Sequence, residues 1–453
     1  MDASAQQRHV NTWARKTTIA ALLASTDPGF RAVRAKGGPE PRAGSLSRPR
    51  SAAKAADRNK CAITLVFGQP PNCPAPRMKR TAGSTDLPEK ATGRPSSSAP
   101  NARESAGFWL VDDPLFDEHR ARGYHPERPE RLVAARGALE HCRAEGLDFL
   151  PLAPRDATFD EIVRVHHPEY VEALEKVQGL FAALDDDTYV SPRSVPAAYR
   201  AAGGAMALVD AILDAPEGAP RMGLALLRPP GHHARPDGGM GFCLLNNVAM
   251  AARQALSRGL ERVAIVDWDV HHGNGTQDAF YAEPGVLFTS LHQYPFYPGT
   301  GGVEQIGEGD AEGFTVNIPL SQNADDGTYR TAFSRIVLPV LESFAPELIL
   351  ISAGFDAHAR DPLAGMVLTA RGFRAMAAGI AEIAAKSAKG RVGVVLEGGY
   401  DLEGIASSLA ATLEGLSGRR ATADAEEEAA PLSQRHGLEI ERSRRSASSH
   451  WKL

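Results

Sequence analysis

The stretch from Arg262 to Asn274 reads RVAIVDWDVHHGN, an apolar run that ends in a cluster of acids and histidines. The run is rich in Val and Ile and nearly continuous rather than alternating, which is typical of a strand covered on both faces. Asp267, Asp269 and His271 alternate at a spacing of two, so on extended backbone their side chains leave the same face. The stretch therefore predicts a buried strand, Arg262–Val270, with metal-capable side chains at its carboxyl end.

Short apolar runs of the same texture recur along the chain at Met222–Leu227, Val286–Leu291, Phe314–Leu320, Leu348–Phe355 and Val392–Leu396. Helical patterns lie between them at Ala198–Leu213, Asn247–Arg258, Tyr329–Phe344 and Ala370–Lys386. Strands that alternate with helices predict an α/β domain, in which a parallel sheet carries helices on both faces. Ligands of such sheets bind beyond the carboxyl ends of the strands, so we expect the functional residues there.

The composition divides the chain near Glu104. Residues 1–104 hold 18 Lys and Arg against 7 Asp and Glu, whereas the remainder holds 32 against 48. Residues 105–416 have the texture of one large folded domain, and residues 417–453 return to polar sequence and predict a loose polar tail. Four scattered cysteines argue against a disulfide scaffold and favour a reducing, cytoplasmic compartment. No apolar run approaches the roughly 20 residues of a membrane-spanning helix.

Residues 1–104 lack a sustained hydrophobic period and predict a mostly disordered basic extension. Their Arg-rich, Ser-rich and acid-poor composition is compatible with an organelle transit peptide. A basic tail that binds nucleic acid or anionic surfaces has the same composition. The third alternative is a dispensable extension, with the true start near Met78.

Three apolar runs lead directly into titratable residues. Leu348–Phe355 is followed by Asp356, Val392–Leu396 is followed by Glu397, and Met222–Leu227 is followed by Arg228-Pro-Pro-Gly-His-His. Each of these side chains alone is commonly a helix cap or a loop residue. Their joint occurrence at strand ends favours a site, and two acids with one histidine suit a catalytic zinc or a similar divalent ion.

Seven motifs follow one another after Gly107. They are HPERPER at His125–Arg131, RPPGHHA at Arg228–Ala234, GFCLLNN at Gly241–Asn247, VDWDVHHGNGT at Val266–Thr276, SLHQYPFYPGTG at Ser290–Gly301, SAGFDAH at Ser352–His358 and LEGGY at Leu396–Tyr400. In this order they resemble the histone deacetylase family, within the zinc-dependent arginase/deacetylase superfamily. The resemblance covers roughly residues 107–416 and implies a single arginase/deacetylase-like domain with a parallel sheet of about eight strands.

The resemblance also implies a metal site and its catalytic partners. Asp269, His271 and Asp356 would bind one zinc ion per subunit. His232 and His233 would be the tandem histidines beside the metal-activated water. A potassium ion is implied behind the zinc, held by Asp267, Ser290 and Leu291 together with the main-chain carbonyls of Asp269 and His271.

By the same resemblance, Asp267 supports His232, Asn274 supports His233, and Tyr400 stabilises the oxyanion. A carboxylate raises the pKa of a neighbouring imidazole, whereas an amide barely changes it. We therefore expect His233 to be the main general base and His232 to be the more cationic partner. The resemblance further implies substrate-binding residues: Gly241, Phe242 and Tyr297 along an acyl-lysine tunnel, and Asp187 at its rim.

The function that follows is zinc-dependent removal of acetyl groups from lysine side chains of proteins, or from related acetylated amines, with release of acetate. Acetylated polyamines are the alternative substrate within this chemistry. An arginase-like binuclear manganese hydrolase would need further bridging aspartates, and a non-catalytic acyl-lysine-binding scaffold would not need Tyr400. The sequence shows no nucleic-acid module, and the oligomeric state stays open.

Overall fold

A computed structural model describes residues 107–418 and 432–453. Its main sheet has eight strands, all paired in parallel, in the order β2-β1-β3-β8-β7-β4-β5-β6. The strands are Gly107–Val111 (β1), Asp148–Leu152 (β2), Met222–Ala225 (β3), Val263–Asp267 (β4), Val286–Gln293 (β5), Thr315–Leu320 (β6), Leu348–Ala353 (β7) and Val392–Leu396 (β8). A separate two-residue antiparallel ladder joins Ala182–Ala183 to Tyr189–Val190.

The helices are Glu130–Ala144 (α1), Phe159–Ile162 (α2), Pro168–Lys176 (α3), Ser194–Leu213 (α4), Asn247–Ser257 (α5), Asn274–Phe280 (α6), Asp326–Ala332 (α7), Leu338–Phe344 (α8), Ala370–Ser387 (α9), Leu402–Leu416 (α10) and Gln434–Ala447 (α11). A π-helical turn, Phe333–Val337, joins α7 to α8. Helix α4 packs on α5, and α10 packs on both α1 and α9. Because helices cover the sheet on both sides, every residue of β4, β7 and β8 is buried.

The register of the central strands brings their carboxyl ends together. Asp267, the last residue of β4, lies opposite Ser290 of β5 on one side and Ser352 of β7 on the other. Leu396, at the end of β8, lies opposite Ala353 at the end of β7. The loops that follow β3, β4, β7 and β8 therefore leave the sheet next to one another, and all four of the predicted polar clusters lie on these loops.

The predicted parallel sheet of about eight strands with helices on both faces is confirmed. The strand predicted at Arg262–Val270 is shorter in the structure, where β4 spans Val263–Asp267. The predicted alternation on extended backbone is therefore wrong beyond Asp267, and the following residues lie on a bend. Strands β1 and β2 were not predicted. β2 is an edge strand that contains Pro151 and is largely exposed, so it lacks the continuous apolar texture of the others.

The predicted loose tail is wrong for residues 432–453. Helix α11 packs against edge strand β6, and its buried residues are His436, Ile440, Ser443 and Ala447. Trp451 follows the helix, and its indole Nε1 donates to the carbonyl of Gly313 at 2.7 Å. The prediction for residues 1–104, and that for residues 419–431 of the tail, lie outside the described residues. Within the described ranges, no helix has the length and apolar character needed to cross a membrane.

Candidate metal centre and active site

Three side chains from two loops meet at the carboxyl ends of β4 and β7. His271 Nδ1 lies 3.2 Å from Asp269 Oδ1 and 3.1 Å from Asp356 Oδ2. One ligand atom from each residue lies within 4.8 Å of the others. Both acids are fully buried and the histidine is largely buried. The structure thus brings together the three residues that were predicted as zinc ligands.

Backbone N–H groups fix the orientation of both carboxylates. Asp269 accepts hydrogen bonds from His271 N at 2.9 Å and from Gly398 N at 2.8 Å. Asp356 accepts one from Val270 N at 2.8 Å. These bonds hold one oxygen of each acid toward His271 without a side-chain cation from Lys or Arg. The three donors are therefore preorganised before any ion binds.

The donor set fits a divalent cation. Burial, followed by the charge of Asp269, raises the pKa of Asp356, so the two neighbouring carboxylates are costly to keep ionised without a cation. The surrounding backbone approaches closely: a Cβ on Gly354 would lie 2.0 Å from Asp269 Oδ2, and one on Gly398 would lie 2.3 Å from Asp356 Oδ2. Two carboxylate oxygens and one imidazole nitrogen are the donor types found in catalytic zinc sites.

The tandem histidines lie beside this centre with unequal partners. His232 Nδ1 donates to Asp267 Oδ2 at 3.0 Å, and His233 Nδ1 donates to Asn274 Oδ1 at 2.8 Å. Burial alone would lower the pKa of His232, but the charges of Asp269 and Asp267 outweigh it and raise that pKa to about 10. Burial and the neighbouring His232 lower the pKa of His233 well below its usual value. The unequal partners therefore favour a cationic His232 and a neutral His233.

The predicted tunnel residues lie next to His233, and one of them, Phe242, contacts Tyr400. The Tyr400 ring packs edge-on against Phe242 with 5.7 Å between centroids, and the His233 ring does so against Tyr297 at 5.2 Å. Gly241 has a φ of 56°, and a Cβ there would lie 2.5 Å from His233 Cδ2, so only glycine fits. Burial raises the pKa of the Tyr400 hydroxyl well above its usual value, which keeps it a proton donor.

Asp187 is linked to the same wall through Thr188. The Thr188 hydroxyl donates to Asp187 Oδ1 at 3.1 Å and accepts from Phe242 N at 3.0 Å. The main-chain carbonyl of Asp187 also lies 3.2 Å from His125 Nε2. Burial and the neighbouring Asp185 raise the pKa of Asp187 to about 6. The structure thus places this acid next to the aromatic residues that were predicted to line the tunnel.

Comparison with known proteins identifies the relatives of this chain. Residues 125–416 match the family model of the histone deacetylase domain. The chain belongs to the histone deacetylase family. "Histone deacetylase 10, chloroplastic" from rice (Oryza sativa subsp. japonica) is 42% identical over 65% of this chain and 70% of its own length. A human polyamine deacetylase is 41% identical over 72% of this chain and 49% of its own. The crystal structure of the HDA15 HD domain superposes with a TM-score of 0.69 at 35% identity, covering 77% of this chain and 96% of its own.

The residues predicted to hold potassium in this histone deacetylase-family chain lie behind the metal triad. Asp267 and Ser290 are register partners on β4 and β5. Asp267 Oδ1 accepts from Asp269 N at 3.1 Å, and the Ser290 hydroxyl lies 2.9 Å from His292 Nδ1. Leu291 is a buried strand residue and offers only its main-chain carbonyl. The potassium ion stays a prediction.

Glu127 and Arg131 of HPERPER, for which the sequence suggested no role, belong to a buried charge network next to Tyr400. Arg131 Nε donates to the carbonyl of Gly399 at 2.5 Å, and its guanidinium lies 5.1 Å from the centre of the Tyr400 ring. Glu127 pairs with Arg131 at 3.1 Å and with both nitrogens of the Arg228 fork. The available signal was an acid and a base four residues apart at the start of a helix, which resembles an ordinary surface pair.

Glu397 is a second residue whose role was missed. This fully buried acid follows β8, and its Oε2 accepts from Gly231 N at 2.7 Å and from His232 N at 3.1 Å. It therefore fixes the backbone of the loop that carries both histidines. The sequence placed Glu397 at a strand end, but the loop that it would hold could not be inferred without the order of the strands.

Proposed function

We propose that this chain hydrolyses the amide bond of N-acetylated lysine side chains in proteins and releases acetate. The observation that carries the proposal is the buried Asp269–His271–Asp356 triad beside one neutral and one cationic histidine. Membership of the histone deacetylase family supports the same chemistry. We assign it to residues 105–416, which contain the whole triad.

Asp269, His271 and Asp356 would hold the zinc ion, each through one donor atom. Bound there, zinc would polarise the acetyl carbonyl and lower the pKa of a water molecule toward 7. A single ion suffices for this chemistry, and the described residues contain one cluster of metal-capable side chains. A binuclear manganese site would need further bridging acids, so we do not propose one.

The protein residues would move the protons. His233 donates through Nδ1 to Asn274, which leaves Nε2 as the free acceptor for the proton of the attacking water. The same nitrogen can then deliver the proton to the leaving amine. His232 keeps its charge through Asp267 and stabilises the negative charge of the tetrahedral state, and the Tyr400 hydroxyl would donate to the developing oxyanion.

Acetylated polyamines are the alternative substrate, favoured by the human polyamine deacetylase among the relatives. Asp187 would bind either the backbone N–H of a peptide or the ammonium group of a polyamine. The hydrogen bonds that link Asp187 through Thr188 to Phe242 support this role. No feature of the described residues argues for a nucleic-acid partner.

The test is acetate release by the purified full chain, measured with acetyl-lysine peptides and acetylpolyamines in parallel. We expect turnover that a chelator abolishes and zinc restores, with higher kcat/KM for the peptides. A matched Tyr400→Phe variant should lose at least about 100-fold in kcat, as expected for removal of an oxyanion donor. Chelator-resistant turnover, or a Tyr400→Phe variant at full rate, contradicts the mechanism. Higher kcat/KM for the polyamines contradicts the proposed substrate.

Two further assignments accompany this function. We propose that potassium binds at Asp267, Ser290 and Leu291, so the melting temperature should rise with KCl and not with equal choline chloride. We also propose a cytoplasmic location, with organelle targeting through residues 1–104 as the alternative that the chloroplastic rice relative favours. A fluorescent fusion at the C-terminus, with and without residues 1–104, distinguishes diffuse cytoplasmic signal from import into an organelle.

A further inference from the structure

One carboxylate links the loop that carries Asp356 to the loop that carries Tyr400. Asp361 lies five residues after Asp356, and its side chain is almost fully buried. Its Oδ2 accepts from Tyr400 N at 2.6 Å and from Asp401 N at 3.2 Å. Its Oδ1 accepts from Leu363 N at 3.0 Å, within its own loop. The two contacts of Oδ2 fasten the β7 loop to the β8 loop, and the contact of Oδ1 fixes the carboxylate within its own loop.

The β8 loop needs such an anchor. It runs from β8 to α10 through Gly398 and Gly399, and Gly399 has a φ of 111° that other residues rarely adopt. Both glycines are required by close packing, but glycine leaves the backbone the most freedom to move. The charged carboxylate of Asp361 accepts from the N–H of Tyr400, and this hydrogen bond restricts the backbone at that residue. The ring contacts of Tyr400 with Phe242 and Arg131 fix the side chain, and Asp361 fixes the backbone.

We propose that Asp361 is a positioning residue, which holds the Tyr400 hydroxyl at the place where the oxyanion forms. This inference rests on the proposed function. The hydrogen bonds of Asp361 in the described structure go to backbone N–H groups, so it acts through Tyr400 rather than on the substrate. A shift of about 1 Å in a catalytic group can lower a rate by about 100-fold, so losing this anchor should be visible in kcat.

The test is a double-mutant cycle between Asp361→Asn and Tyr400→Phe in the full chain. Asparagine keeps the size but has one accepting oxygen in place of two and no charge, so the hydrogen bond to Tyr400 N is weakened or lost. We expect Asp361→Asn to lower kcat by about 10- to 100-fold, with KM and bound zinc unchanged. In the Tyr400→Phe background the same substitution should change kcat by less than about twofold, because the hydroxyl is already absent.

Asp401→Asn is the matched control. Asp401 is the neighbouring acid at the N-terminus of α10, and its carboxylate accepts from Gly404 N rather than from Tyr400 N. Because asparagine caps a helix about as well as aspartate, this variant should keep most of its stability and hold kcat within about twofold. If Asp361→Asn does not fold, Asp361→Glu, which keeps the charge and displaces the acceptors, replaces it in the same cycle.

The outcomes separate the two claims. A wild-type chain without acetate release, or a Tyr400→Phe variant at full rate, overturns the proposed function before the cycle is closed. Given an active wild type and an impaired Tyr400→Phe variant, equal losses from Asp361→Asn in both backgrounds overturn the positioning role, because the effect would then bypass Tyr400. Unchanged kcat, or loss of zinc from Asp361→Asn, overturns it as well.

Discussion

The carboxyl ends of the central strands and the covered edge at β6 are built in opposite ways. At the strand ends, the fully buried Arg131 and Arg228 donate to backbone carbonyls and share the carboxylate of Glu127. At the β6 edge, α11 buries one large apolar residue, Ile440, among small and polar residues and makes a few hydrogen bonds, for example from Ser321 N to Glu439 at 3.0 Å. Buried ion pairs are expensive to desolvate and are weak evidence for stability alone. The difference indicates that the strand ends are organised for chemistry and the β6 edge for closure of the sheet.

The largest effect should come from the metal triad. Asp356→Ala removes one of three donors and leaves a site that cannot retain zinc at ordinary concentrations. We expect acetate release to fall by more than about 1,000-fold, since both water activation and carbonyl polarisation are lost. Metal analysis and kcat/KM check this together. Asp278→Ala, which removes an exposed acid paired with Arg235, is the control and should keep both. An active, zinc-loaded Asp356→Ala variant would show that the triad is not the metal site.

The histidine pair should give the next effect. His233→Ala removes the neutral base and should lower kcat by about 100- to 10,000-fold, the usual contribution of a general base. His232→Ala removes a positive charge rather than the proton acceptor, so we expect a smaller loss in kcat. Single-turnover rates of both zinc-loaded variants check the order. A larger loss from His232→Ala would reverse the roles assigned from Asp267 and Asn274.

The free energy of unfolding gives a second test of the strand-end region, through the buried network of Glu127, Arg131 and Arg228. Glu127→Gln leaves the guanidinium groups of Arg131 and Arg228 without their shared anion, and should cost about 3–5 kcal/mol in the free energy of unfolding. Urea titration at pH 7 measures this loss.

The pH dependence of the unfolding free energy checks whether the stabilising effect of Glu127 comes from its ionised form. Burial alone would raise the pKa of Glu127, but Arg228 and the hydrogen bonds from His119 and Arg228 hold it well below the ordinary 4.5. Its contribution is therefore full above pH 4.5 and is lost as the pH falls below that value toward the lowered pKa. The gap between wild type and Glu127→Gln should narrow on acidification, and a constant gap would contradict the ionised state.

The β6 edge should give the smallest effect. Trp451 packs against Phe314 and Phe344 with ring centroids 5.3 and 6.0 Å away. Trp451→Ala should lower the unfolding free energy by about 1–3 kcal/mol, less than for a fully buried tryptophan, and leave kcat within about twofold. Leu438→Ala, at a position 66% exposed, is the control and should change stability by less than about 0.5 kcal/mol. A large loss of kcat from Trp451→Ala would contradict the claim that the β6 edge contributes to stability and not to catalysis.

The contrast also explains what the sequence could predict. Buried strands leave continuous apolar runs, and the residues after β4, β7 and β8 stand out because titratable side chains follow those runs directly. Helix α11 leaves no such pattern. Its buried residues His436, Ile440, Ser443 and Ala447 have helical spacing, but only Ile440 is strongly apolar. Because the buried face of α11 is mostly polar, its sequence resembles that of a solvated tail rather than that of a packed helix.

Asp361 was missed for a different reason. It stands in Arg360-Asp361-Pro362, a combination that ordinarily marks a turn. Its partner loop lies about 40 residues later, and only the adjacency of β7 and β8 brings the two together. The same limit applies to Asp269 and Asp356: the sequence supplied suitable ligands, and the strand order decides that they meet.

The most direct measurement is X-ray diffraction from crystals of the zinc-loaded full chain, recorded on both sides of the zinc absorption edge. We predict one strong anomalous peak about 2.0–2.2 Å from His271 Nδ1 and from one oxygen each of Asp269 and Asp356. A zinc peak bound by other residues, or none at this triad in a chain that releases acetate, would contradict the account.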